Sequence, residues 1–263
     1  MKIAVVGAGA MGEALLAGWI AAGTAPADIA IVDASEQRVT ELEERHGVVG
    51  VDLAAAAHAE TVVLAVKPYQ IVGVLNDLRD ELADGTLVVS IAAGVPLEVL
   101  EGALPGVAVV RVMPNAPALV GKGMAGIVPG ASATGEHTAT VTGLMDAVGR
   151  SLITDEAHLD ALTALSGSGP AYLFYVAEAM IEGGVHQGLS RAEATELVNQ
   201  TFVGSAAMLA ESGRTATALR EMVTSPEGTT AAALRALDDH GVRAAFLDAV
   251  EQCRLRSRRM AGR

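Results

Sequence analysis

The chain of 263 residues contains one cysteine, Cys253, which excludes an internal disulfide and any metal cluster built on cysteine. Aromatic residues make up only 3% of it against 51% hydrophobic residues overall, so the core must be built mainly from Ala, Val and Leu. Lysine is scarce as well: Lys2, Lys67 and Lys122 are the only three. No uncharged apolar run is long enough to span a membrane, and the N-terminus lacks the basic and apolar regions of a signal peptide. A cytoplasmic location with no membrane partner is expected. Net charge is −13 at pH 7, which disfavours nucleic acid as a partner. The six histidines show no metal-ligand spacing and read as surface or capping residues. Neither G-x-S-x-G nor H-E-x-x-H occurs, so no metal site or serine elbow is expected.

What the chain does have begins at its first residues. Ile3-Ala4-Val5-Val6 is a short apolar strand that ends in Gly7-Ala8-Gly9-Ala10-Met11-Gly12, and a helical pattern follows at once. The glycines stand at the G-x-G-x-x-G spacing of a dinucleotide site. Gly7 permits the turn, Gly9 lets backbone approach a pyrophosphate, and Gly12 lets helix and strand pack closely. The helix start then offers unpaired N–H groups and a positive dipole end to phosphate.

Apolar strand runs alternate with helical runs as far as residue 154. The strands read at 29–32, 48–51, 61–66, 86–90 and 107–112, with two edge strands expected at 124–128 and 151–154. That alternation predicts an α/β fold, a Rossmann-type doubly wound parallel sheet. Beyond Thr154 only helical periodicity remains, in runs at 159–185, 191–209, 216–223, 229–239 and 244–260. The expected division is therefore 1–154 for a dinucleotide-binding domain and 155–263 for an all-α domain suited to close helix packing and dimerisation.

Ligands of open α/β sheets sit at the carboxyl ends of the strands. There the sequence places Asp33, Ala65-Val66-Lys67-Pro68, Ala92-Ala93 and Asn115. Asp33 would accept from the ribose hydroxyls, favouring NAD(H), while Ser35 and Arg38 could bind a 2′-phosphate instead. Lys67 could meet a phosphate or a substrate anion, or act as a proton donor. Asn115, between two prolines, could reach the nicotinamide or its ribose. In the helical half, Ser166-Gly167-Ser168-Gly169-Pro170 interrupts a helix, at a cost of about 1 kcal/mol per glycine and more for proline. Thr224-Ser225-Pro226-Glu227-Gly228-Thr229-Thr230 sets four hydroxyls before a helix, a cradle for a small anion such as a carboxylate.

Together, Val66-Lys67-Pro68, Met113-Pro114-Asn115, Ser166-Gly167-Ser168-Gly169-Pro170-Ala171-Tyr172 and Ser225-Pro226-Glu227-Gly228-Thr229-Thr230 resemble the pyrroline-5-carboxylate reductases along essentially the whole chain. The resemblance implies a Rossmann domain and a helical domain that interlocks in a homodimer, with a decamer of dimers as the larger assembly. It implies reduction of 1-pyrroline-5-carboxylate, the small-molecule substrate, to L-proline by NADP(H), with NAD(H) admitted by Asp33. On that reading Ser225, Gly228 and Thr229 bind the substrate carboxylate and Thr230 contacts the ring nitrogen. The family usually has glycine where Glu227 stands, and the glutamate side chain is expected to point outward. Two alternatives remain. One is a non-catalytic dinucleotide sensor. The other is a β-hydroxyacid dehydrogenase relative, which would need a lysine in the helical half where none occurs.

Overall fold

The structure, a computed structural model, describes residues 1–262 and divides into two compact units. The first is Met1–Ser168 together with the chain from Cys253 onward, and the second is Gly169–Gln252.

The first unit is one eight-stranded sheet. Its strands are β1 (Ile3–Val6), β2 (Ile29–Val32), β3 (Val49–Gly50), β4 (Thr61–Leu64), β5 (Leu87–Ser90), β6 (Ala108–Met113), β7 (Gly123–Pro129) and β8 (Gly149–Ile153). They lie in the order β3-β2-β1-β4-β5-β6-β7-β8, parallel throughout except for the β6–β7 pair. Strand order reverses beside β1, which makes the point between β1 and β4 the switch point where an open sheet receives a ligand. Of the two strands expected at the edge only β8 lies there; β7 is flanked by β6 and β8.

Alternation along β1 sends Ile3 and Val5 to one face and Ala4 and Val6 to the other. The first face carries α1 (Ala10–Ala21), α2 (Glu36–His46) and α6 (Gly135–Asp146) through Leu15, Trp19, Leu42, Val141 and Met145. The second carries α3 (Leu53–Ala56), α4 (Ile71–Arg79) and α5 (Leu97–Ala103) through Ala56, Leu75, Leu78 and Leu100. Two-sided burial explains why the strands read as unbroken apolar runs. The single tryptophan, Trp19, is fully buried and donates its indole N–H to the Leu144 carbonyl at 2.8 Å, tying α1 to α6.

Where the sequence interrupts its helix with glycines, α7 (Leu159–Leu162) widens into a π-turn, Thr163–Gly167. The helices that follow are α8 (Gly169–His186), α9 (Arg191–Glu211), α10 (Ala216–Met222), α11 (Thr229–Asp239) and α12 (Val242–Met260). Ser190 opens α9 with a reciprocal capping box, and Thr215 caps α10. Within this unit α8 pairs with α9, yet α8 has no buried residue, and Leu173, Phe174, Tyr175, Leu197 and Val203 stand exposed. So large an apolar surface marks a place where another surface belongs.

Candidate active site

The carboxyl ends of the central strands open on a cleft of about 840 Å³. From the turn between β1 and α1, Gly7, Gly9, Ala10 and Met11 line it; Asp33 comes from the end of β2. Ala65, Val66, Lys67 and Pro68 line it after β4, and Ala92 and Ala93 after β5. Gly7 has φ +97°, and a Cβ there would stand 2.8 Å from the Ala65 carbonyl carbon and the Val66 nitrogen. A Cβ on Gly12 would reach 2.4 Å from the Gly7 carbonyl oxygen, so that glycine is required by helix–turn packing. Over Gly9, by contrast, there is open space. The N-terminus of α1 has no side-chain cap, so its first amides face this space unpaired. Volume, open backbone and free helix amides all fit a dinucleotide pyrophosphate.

Four residues expected at the coenzyme do not line this cleft. Ala8 is buried; its N–H donates to Asp33 Oδ2 at 2.8 Å and its carbonyl accepts from Arg38 Nε at 2.8 Å. Gly12 is buried under the turn. Ser35 caps α2, its Oγ accepting from Arg38 N at 3.3 Å, and does not line the cleft. Asn115 is turned inward: Nδ2 donates to the Ser166 carbonyl and hydroxyl at 3.0 and 3.2 Å, and Oδ1 accepts from Met124 N at 2.8 Å. Asn115 therefore joins the end of β6, the start of β7 and the π-turn through its side chain. Its neighbours Met113 and Pro114 line the cleft, with Ala116 and Leu119 from the following loop. The sequence signal was the Met-Pro-Asn loop; polarity drew attention to the one member that faces the interior.

Asp33 is not a helix cap. Its carboxylate holds the glycine turn through Ala8 and its own loop through Ser35 N at 3.0 Å. Beside it, Glu13 in the first turn of α1 gathers three basic groups of α2: Arg38 on Oε2, and Arg45 and His46 on Oε1. The hydrogen bond from Arg38 pulls the Glu13 carboxyl down to about 2, helped by His46 and Arg45 and opposed by burial. Arg38 is raised in turn, chiefly by its bond to Glu13. His46 is thus a half-buried hydrogen-bond partner of Glu13 rather than a surface residue. Lys67 is exposed at the rim of the cleft.

In the second unit, α11 begins at Thr229 with Gly228 as its N-cap and no side-chain cap. Gly228 N donates to the Ser225 carbonyl at 3.1 Å, so it is not available to a ligand; the free amides begin at Thr229. A Cβ on Gly228 would stand 2.3 Å from Ser225 Oγ, so the serine hydroxyl lies directly over the helix start. Thr224 Oγ1 is occupied, donating to the Arg220 carbonyl at 2.6 Å and closing α10. The hydroxyls set at the start of α11 are then those of Ser225, Thr229 and Thr230. Glu227 is exposed and has φ 57°, the one left-handed non-glycine residue described. That dihedral is the physical reason a glycine suits this position.

A family profile for pyrroline-5-carboxylate reductase dimerisation matches residues 156–260, and one for NADP oxidoreductase, coenzyme F420-dependent, matches residues 2–94. Fold, cleft and profiles define a dinucleotide-dependent oxidoreductase with a Rossmann domain followed by a helical dimerisation domain. The chain is 45% identical to the pyrroline-5-carboxylate reductase of Corynebacterium melassecola, covering 97% of both chains, and 38% identical to that of Escherichia coli, covering 99% and 98%. The solved pyrroline-5-carboxylate reductase of Coxiella burnetii superposes with TM-score 0.95 at 34% identity, covering 99% of this chain and 98% of that one. The Plasmodium falciparum pyrroline carboxylate reductase with NADP bound does so with TM-score 0.88 at 30% identity, covering 99% and 98%. The chain belongs to the pyrroline-5-carboxylate reductase family.

Proposed function

We infer that the chain reduces 1-pyrroline-5-carboxylate to L-proline with NAD(P)H. The observation that carries the assignment of roles is the uncapped, hydroxyl-lined start of α11 in a chain that also holds a dinucleotide cleft. When bound, the reduced coenzyme supplies a hydride to the imine carbon. The C=N bond becomes C–N and the nitrogen takes a proton, so atoms and charge balance. Protonated imines are electrophilic enough that the protein chiefly has to orient its ligands, which suits a site without an acid–base dyad.

The amides of Thr229 and Thr230, with the Ser225 hydroxyl, hold the substrate carboxylate at the positive end of α11. This moves the expected amide donors one residue on from Gly228, whose N–H is taken. The Thr230 hydroxyl contacts the ring nitrogen and positions its proton. Lys67 at the cleft rim attracts the anionic ligands, and Gly7, Gly9, Ala10 and Met11 carry the pyrophosphate. The Ala65–Pro68 and Ala92–Ala93 segments form the coenzyme's further walls, and Asp33 reaches its ribose.

The functional division proposed is 1–154 for the coenzyme and 155–263 for the substrate and dimerisation. The exposed apolar residues of α8 and α9 and the dimerisation profile support a homodimer through the helical half. A decamer of such dimers, an absence of nucleic-acid binding and a cytoplasmic location complete the reading. They are supported by the resemblance, by the charge of −13 and by the lack, among the described residues, of a helix able to cross a membrane. The test is proline formation from pyrroline-5-carboxylate with each coenzyme. Thr230→Ala should lower kcat/KM about tenfold or more while leaving the coenzyme Kd unchanged. Coenzyme binding without any proline would favour the sensor.

A further inference from the structure

The arrangement of charge around Ala8 bears on which coenzyme is taken, and it rests on the reading of the cleft as a dinucleotide site. Asp33 and Arg38 grip the same residue, one at its N–H and the other at its carbonyl, each at 2.8 Å. Arg38 is thus the cation beside the ribose-facing acid, where a 2′-phosphate would look for a partner. All three of its nitrogens already have protein acceptors. Nε bonds Ala8 O, one terminal nitrogen bonds Glu13 Oε2, and the other lies 3.4 Å from Glu41 Oε2. Glu13 and Arg38 are both about four-fifths buried, at 21% and 22% side-chain exposure, so their pairing is shielded from solvent. Glu13 also takes up Arg45 and His46, which lie on the same helix as Arg38.

We propose that Glu13 is the residue that sets coenzyme choice. By holding Arg38 in its ion pair it withholds the guanidinium from a 2′-phosphate, leaving Asp33 to face the ribose hydroxyls of NADH. An arginine whose three nitrogens are shared among Ala8, Glu13 and Glu41 has no free pair of parallel donors to give a phosphate. A phosphate entering here would meet the charges of Glu13, Glu41 and Asp33, with only one N–H left on each terminal nitrogen of Arg38. Replacing Glu13 by glutamine keeps its shape and removes the charge that claims Arg38.

The experiment titrates the purified full-length protein with NADPH and with NADH, following coenzyme fluorescence in the absence of substrate, so it does not depend on turnover. Glu13→Gln should tighten NADPH relative to NADH by about tenfold, the size expected of one charged hydrogen bond. Adding Arg38→Gln to that variant should abolish the gain. Arg38→Gln alone should leave the NADPH:NADH ratio of the parent within about twofold, because the arginine is already withheld. The proposal is overturned if Glu13→Gln shifts both coenzymes by the same factor, which is the outcome of a merely structural role. It is overturned equally if the double variant keeps the gain, or if Arg38→Gln alone selectively weakens NADPH. A protein that binds neither coenzyme would refute the cleft assignment itself, a different result from any of these. Should Glu13→Gln fail to fold, the Arg38→Gln arm still decides.

Discussion

Replacing Glu227 with glycine should stabilise the protein, although it deletes a side chain and touches no core. Glu227 has φ 57°, is exposed and is followed by the N-cap of α11. Holding an L-residue in the left-handed region costs about 1–2 kcal/mol. Glycine removes that strain but enlarges the unfolded ensemble, which returns about 0.4–1 kcal/mol. A net gain of about 0.5–1 kcal/mol remains for the backbone. The glutamate charge near the positive end of α11 works in the other direction, so Glu227→Gln is the proper reference: it keeps the strain and removes the charge. The glycine variant should therefore exceed the glutamine variant by about 0.5–1 kcal/mol, or about 1–4 °C in Tm for a chain of this size. Calorimetry at one fixed protein concentration, without ligand, makes the comparison, because dimerisation and coenzyme both shift apparent stability. Equal Tm values for the two variants, or a lower one for glycine, would refute the strain argument. Kinetics on the same proteins read the side-chain direction. An outward glutamate predicts an unchanged KM for pyrroline-5-carboxylate in Glu227→Gln, whereas a clear fall in KM would show that it repels the substrate carboxylate.

Other perturbations follow from the same geometry. Asn115→Ala leaves the Met124 amide and the Ser166 carbonyl without partners in a buried place, and should cost about 2–4 kcal/mol in urea unfolding while coenzyme affinity changes little. Trp19→Ala should lose about 3–5 kcal/mol, since it empties a fully buried site and frees the Leu144 carbonyl. Glu13 titrates near 2 when folded, below the ordinary carboxylate value of 4.5. The stability it contributes is then complete above about pH 4.5 and is lost as pH falls towards 2, with about 3 kcal/mol as an upper bound. Stability curves from pH 6 down to 2 should accordingly be flatter for Glu13→Gln than for the parent, and parallel curves would deny the ion pair that role.

Much of the α/β half was legible because a strand buried on both faces must be apolar throughout and a glycine turn must follow it. What the sequence hid is the direction of side chains within loops. Asn115 and Ala8 were expected at the coenzyme because of where they lie in the chain, and both are bonded from behind by residues remote in sequence. The place of β7 inside the sheet was hidden too, since a run broken by Gly123 and Gly126 carries no mark of having two neighbours. In the cradle, four hydroxyls marked the place, and Ser225, Gly228, Thr229 and Thr230 were the expected contacts. The structure shows Thr224 closing the preceding helix and Gly228 bonded to Ser225, facts that depend on where α10 stops and α11 starts. The pairing of Glu13 with Arg38 crosses from one helix to the next, 25 residues apart, and no periodicity announces it.

A lone, fully buried indole also makes the molecule its own optical instrument. Trp19 sits on the helix whose first turn is the proposed pyrophosphate site, nine residues beyond Ala10 and therefore about 13 Å along the axis. With no other tryptophan in the chain, every change in indole emission comes from that seam. Its emission overlaps the near-ultraviolet absorption of a reduced nicotinamide and not that of the oxidised form. Resonance transfer from Trp19 would thus distinguish reduced from oxidised coenzyme in the unlabelled protein, and loss of the blue-shifted band would report the parting of α1 from α6 on unfolding.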